Sequence, residues 1–183
     1  MSFEEIVKWN ILQPLSGENI KELIGKPPTP FSSLKNYKTL NQVLGKEGYT
    51  VIFYENSQYS GHYVALFNDS NGQLNYMDPY GFEPLIVKSK VHYDENLPNY
   101  LTDLIKASGR NIIISKTDYQ AKIAGVADCG RHSCCRIKLL HLSNKQYETL
   151  LLSSKIPILK PDFIVTAMTL LGLQGDILKF YNK

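Results

Sequence analysis

Gly61-His62-Tyr63-Val64-Ala65-Leu66-Phe67, then Asn68-Asp69-Ser70-Asn71-Gly72, then Gln73-Leu74-Asn75-Tyr76-Met77 and Asp78-Pro79-Tyr80-Gly81 follow one another without a break. The pattern reads as two strands around a turn rich in residues that tolerate positive φ, with alternation in the second strand and Pro79 ending it. In such an antiparallel hairpin His62, near the start of one strand, lies close to Asp78, at the end of the other. Upstream, Tyr49-Thr50-Val51-Ile52-Phe53-Tyr54 has the β-branched and aromatic content of a strand buried on both faces. Downstream, Asn111-Ile112-Ile113-Ile114-Ser115 reads as a further strand.

Helices surround this centre. The N-terminal region holds one or two. Ser16 caps one whose Ile20, Leu23 and Ile24 share a face, and Gly25 ends it. Lys26-Pro27-Pro28-Thr29-Pro30 is an extended connector, because proline denies its neighbours helical geometry. Short helices are expected at Leu40 to Leu44 and around Tyr100 to Ala107. From Asp128 onward the chain reads as helical: Cys129, Ser133, Ile137 and Leu140 form a stripe, and Tyr147 to Leu152 and Pro161 to Leu171 follow. No repeat, low-complexity segment or linker divides the 183 residues. The expectation is a single compact domain of strands and helices.

With 43% hydrophobic and 20% charged residues the chain is far from the composition of a disordered one. A formal charge of +3 is too small to announce a nucleic-acid binder, though it leaves a local basic patch open. No apolar run reaches the length of a membrane span, and the acidic start Met1-Ser2-Phe3-Glu4-Glu5 is unlike a secretory leader. The three cysteines, Cys129, Cys134 and Cys135, are odd in number and clustered, which suits reduced thiols better than a disulfide framework.

Ala127-Asp128-Cys129-Gly130-Arg131-His132-Ser133-Cys134-Cys135 carries the chemistry. Asp128 as N-cap puts Cys129 in the first helical turn, where unpaired N–H groups and the helix dipole favour a thiolate. Gly130 would let a substrate backbone approach closely. The plainer alternative is a buried cysteine heading a core helix. A thiolate needs an oriented base, and His62 with Asp78 supplies that pair; a lone histidine in a strand is otherwise structural. The backbone N–H of Cys129 and the carboxamide of Gln120, in the loop leading to this helix, would be the oxyanion donors, the alternative for Gln120 being an exposed loop residue. Zinc is the rival chemistry for Cys129, His132, Cys134 and Cys135, but no second cluster completes a tetrahedral set and the side chains diverge around a helix. No metal and no cofactor is expected.

The order His62, Asp78, Gln120, Cys129 resembles the adenovirus maturation protease and, more distantly, the proteases that process SUMO and related ubiquitin-like proteins. Gly61 to Leu66 is similar to that family's His-aromatic-apolar strand. Tyr76-Met77-Asp78-Pro79-Tyr80-Gly81-Phe82 is similar to its acid-Pro-aromatic-Gly-Phe segment, and Cys129-Gly130 with Cys134-Cys135 to its nucleophile helix. The similarity spans about residues 50 to 142. Gln120 lies further before Cys129 than the family places it, the double cysteine is displaced by one position, and Arg131-His132 stands where an apolar pair is usual. This last feature is more like proteases of giant DNA viruses and virophages.

The resemblance implies an α+β fold, a mixed sheet flanked by helices, with a papain-like site built with a different chain order, on a thiol endopeptidase that cleaves a viral capsid or scaffold precursor after a small residue such as Gly. The location implied is the virion or the host cytoplasm. An isopeptidase acting on host conjugates, and a binding module that has lost the chemistry, are the alternatives. In adenoviral relatives an activating peptide is joined by a disulfide, but no cysteine lies outside positions 129 to 135 here. On a helix Cys129 and Cys134 point about 140° apart, so an internal bridge is disfavoured. A redox link, if formed, would therefore join two copies through Cys135, whose neighbours Arg131 and Lys138 would lower its pKa if it were exposed; the alternative is two packed helix cysteines.

Overall fold

The computed structural model describes residues 1–57, 60–91, 98–155 and 160–172. Five strands form one sheet in the order β1 (Thr29–Pro30), β2 (Tyr49–Ser57), β3 (Ser60–Asn68), β4 (Leu74–Met77) and β5 (Ile112–Ser115). The β2–β3 and β3–β4 pairs are antiparallel, while β1–β2 and β4–β5 are parallel. This is the mixed sheet expected. The quoted hairpin is present as β3 and β4, with Ala65 opposite Met77 and Leu66 opposite Tyr76. Its turn needs positive φ only at Gly72, because the Asp69 side chain accepts from the Asn71 and Gln73 amides and closes the rest.

Alternation along the strands sorts side chains onto two faces. Val51, Tyr63, Ala65, Phe67 and Met77 point to one face, against α2 (Gly17–Ile24), α6 (Cys129–Lys138), α7 (Asn144–Leu152) and α8 (Pro161–Gly172). Ile52, Tyr54, Val64, Leu66, Leu74 and Tyr76 point to the other, against a 3₁₀ turn at Phe31–Asn36, α3 (Leu40–Leu44) and α5 (Tyr100–Ala107). A sheet covered on both sides needs strands apolar on both sides, as β2 is. The first helix, α1 (Phe3–Ile11), lies against α8. Ser2, Ser16, Thr39 and Ser143 each cap a helix with a reciprocal box, and Gly25 ends α2 at φ 80°.

Two elements have no clear sequence signature. The 3₁₀ turn is too short for periodicity. In α4 (Pro84–Val91), Leu85, Ile86 and Val87 are contiguous rather than helically spaced, and only Val87 of the three is buried.

Helix α6 is buried all round: every residue from Gly130 to Ile137 is enclosed, though half of them, Arg131, His132, Ser133 and Arg136, are polar. Such a helix is tolerable only if its polar groups find partners. Arg136 donates to the Leu139 and Leu142 carbonyls and to Asn144 Oδ1, with its guanidinium stacked 4.4 Å from the Phe67 ring centre. Arg131 donates to Thr169 Oγ1. Helix α6 thus holds its N-terminal Cys129 on a rigid support between sheet and helices.

Candidate active site

His62 sits opposite Tyr54 in the β2–β3 ladder, beside Gly61. A Cβ on Gly61 would run into the Tyr54 carbonyl and the Phe53 ring, which stacks on Tyr63 at 4.6 Å. Glycine is therefore required by close approach. Gly61→Ala should destabilise the fold by about 1–3 kcal/mol through overpacking and displace His62. Chemical denaturation checks this, and an unchanged midpoint would refute it.

The chain leaves β4 at Asp78, which is fully buried. Its Oδ1 lies 3.0 Å from His62 Nε2 and accepts from the Tyr80 amide at 2.7 Å. Pro79 and Gly81, the latter at φ 71°, turn the chain so that the Tyr80 ring stacks on His62 at 5.2 Å. The imidazole is thus fixed on one edge by a carboxylate and on one face by a phenol ring. Tyr80's role lay hidden in the sequence, although its place two residues after the acid is the signal for it.

Cys129 is partly exposed, whereas Cys134 and Cys135 are buried. The Cys129 thiol is in hydrogen-bonding reach of the His62 ring, and with Nε2 turned to Asp78, Nδ1 is the nitrogen left for it. Burial works against charge at both groups. At Cys129 it is outweighed by the hydrogen bond and charge of His62 and by the Tyr63 and Gly130 backbone, so the thiol is held below its ordinary 9.0. At His62 burial is outweighed by the bonds to Asp78 and Cys129, and the imidazolium is pushed up to about 10. Between those limits the pair rests as thiolate and imidazolium.

Gln120 is nearly buried and lines the same cleft, a space of about 570 Å³ that also touches His62, Tyr80 and Cys129. Its backbone N–H donates to the Pro79 carbonyl at 3.0 Å. The side-chain Oε1 is buried without a partner among the described residues, leaving Nε2 as the end available to the cleft. Of the four residues singled out in the sequence, His62, Gln120 and Cys129 line one cleft, while Asp78 is fully buried and reaches it only through its contact with the His62 ring. An exposed loop position for Gln120 is overturned.

Three details differ from expectation. Asp128 stands at the N-cap position but makes no side-chain cap bond; its carboxylate turns inward towards His132 and Asp162. Burial first, and then the Asp162 charge, push its carboxyl well above the usual carboxylate range. Gly130 faces the Leu15 and Tyr63 side chains at 3.3 Å, so its lack of a side chain serves helix–sheet packing rather than substrate approach. Cys135 is 1% exposed, donates weakly to the Val165 carbonyl, and has its thiol pushed up to about 12 by burial despite Arg131 and Lys138. A dimer linked through Cys135 is incompatible with this burial. Under native conditions iodoacetamide should therefore modify Cys129 alone, and all three thiols only after denaturation, as read by mass spectrometry. Native labelling of Cys135 would contradict it.

Among the described residues, the His, Cys, Asp and Glu side chains whose ligand atoms converge are Asp128, His132 and Asp162, within 4.8 Å of one another. His132 Nε2 is engaged by Asp162 Oδ1 at 3.0 Å, and Nδ1 has no acceptor to orient it as metal-bound imidazoles require. His132 and Asp162 form a buried hydrogen-bonded pair beside Asp128, whose carboxylate oxygens have no hydrogen-bond partner among the described residues, and the cysteines considered for zinc are not part of the cluster.

The chain is similar to the uncharacterized protein V9 of Sputnik virophage, with 25% identity over 124 residues, which is 64% of this chain and 70% of that protein. No known family profile matches the sequence. No solved structure matches it either. The likeness ties the chain to a viral protein without assigning an activity. Among the described residues no helix is long and apolar enough to cross a membrane.

Proposed function

We propose that this chain is a viral cysteine endopeptidase that processes capsid or scaffold precursors after a small residue. The observation that carries the reading is the partly exposed Cys129 thiol at the start of a buried helix, in the same cleft as a His62 that Asp78 holds at 3.0 Å. A purely structural cysteine needs no such base, and Cys134 and Cys135, five and six positions along the same helix, have none.

The Cys129 thiolate attacks the scissile carbonyl carbon, forming the S–C bond and a tetrahedral oxyanion. The Cys129 N–H and the Gln120 carboxamide donate to that oxygen. As the C–N bond breaks, His62 gives its Nδ1 proton to the leaving amine. His62 then takes a proton from water as it attacks the thioester, and the thiolate departs with its imidazolium partner restored. Asp78 keeps the ring oriented through both steps. The resemblance to adenoviral and ubiquitin-like-protein proteases supports this reading, including a papain-like site in a permuted chain order, and the virophage relative supports a viral substrate. The virion or the infected cytoplasm is where that substrate would be met.

The test is incubation of the wild type and Cys129→Ala with the capsid precursor of the same virus. A discrete product formed only by the wild type, ending at a small residue, is expected. Labelling of Cys129 by a ubiquitin C-terminal electrophile, with no capsid cleavage, would redirect the reading to an isopeptidase.

A further inference from the structure

Gln120 lies in the thirteen-residue stretch from Lys116 to Asp128, which holds neither helix nor strand. Its carboxamide oxygen has no partner among the described residues to fix it. The backbone on either side must therefore set where the carboxamide sits. Before it, the Tyr119 and Gln120 amides donate to the Pro79 carbonyl at 2.8 and 3.0 Å. After it, the Ala121 amide donates to the Asp162 carboxylate, at 3.1 Å to Oδ2 and 3.4 Å to Oδ1. From Lys122 to Gly125 the chain is exposed, until the Ala127 amide reaches the Ile11 carbonyl.

Asp162, in the first turn of α8, is 8% exposed, and its Oδ1 is 3.0 Å from Nε2 of the fully buried His132. The His132 ring stacks on Tyr119 at 6.4 Å. One buried His–Asp pair thus touches both neighbours of Gln120, the preceding one through a ring and the following one through its amide. The same His132 Nε2 lies 3.7 Å from Asp128, the residue before the nucleophile. Resting on the protease reading above, we propose that Asp162, supported by His132, is a positioning residue that fixes the Gln120 carboxamide for oxyanion binding.

Two rates separate this role from a merely structural one. Alkylation of Cys129 by iodoacetamide is a displacement at a saturated carbon and needs the thiolate but no oxyanion donor. Turnover of a fluorogenic peptide amide with Gly at the cleaved position needs both. Gln120→Ala should lower kcat by about 10²–10³-fold and leave alkylation unchanged. Asp162→Ala should lower kcat at least about tenfold, also without slowing alkylation, and in a Gln120→Ala background should cost no more than about twofold further. Asp162→Asn, which keeps one oxygen for Ala121, should show the same pattern to a smaller degree, and it decides the matter if Asp162→Ala does not fold. An equal loss in both backgrounds, alkylation falling in step with turnover, or a wild-type kcat in the variants that fold would overturn the positioning role alone. A wild type that alkylates at Cys129 yet shows no turnover of any Gly-type peptide or precursor would overturn the protease reading itself, and this role with it.

Discussion

Replacing Cys129 by Ala is expected to remove all peptide cleavage while the unfolding transition stays close to wild type. The expectation combines two observations. The thiol is the group that His62 polarises, so without it the base has no nucleophile to activate. Cys129 is also only partly buried, at the first residue of α6, while the packing of that helix is carried by residues further in, such as Cys134, Arg136 and Ile137. Losing one sulfur atom there forms no closed cavity, and the change in stability should stay within about 1 kcal/mol. Circular dichroism on melting and a product assay with the capsid precursor check the two halves separately. Turnover that survived in Cys129→Ala would remove the basis for a thiol mechanism, however well the remaining geometry looks.

The parts of this site that were legible in the sequence are those fixed by local rules. A hairpin joins the start of one strand to the end of the next, so His62 and Asp78 had to be neighbours once both strands were recognised. A helix beginning near Asp128 put the Cys129 thiol among free amides. What could not be read depends on long-range packing. Asp162 meets His132 across thirty positions of chain, and Asp128 beside them makes no cap bond although its residue type favours that role. Cys135 has two basic neighbours in sequence, yet burial against Val165 outweighs them. Gly130 looked like room for substrate because nothing in the sequence shows Leu15 and Tyr63 arriving from other elements. The sheet was legible through the two-sided burial of β2, whereas α4 was not, since its apolar residues run together.

His62→Ala should cost activity about as completely as Cys129→Ala, because the two groups act as one unit. Without the imidazolium, burial is left to dominate at Cys129, and the thiol should move up from its depressed value. Iodoacetamide alkylation at neutral pH would then slow along with turnover, which sets this variant apart from Gln120→Ala. Asp78→Asn should be milder, since a carboxamide oxygen can still accept from His62 and from the Tyr80 amide where Oδ1 now does. The wild-type pH profile follows from the same pair. Cys129 is held low, so activity should rise as pH increases through its depressed pKa and the thiolate forms. His62 is held high, so activity should fall only as pH passes about 10, where the ring gives up the proton that the leaving amine requires. The alkaline limb of the profile should thus lie well above the ordinary histidine value of 6.5. A sharp loss of turnover between pH 7 and 8 would mean that His62 titrates like a free imidazole, and that the ion pair is not the resting state of the enzyme.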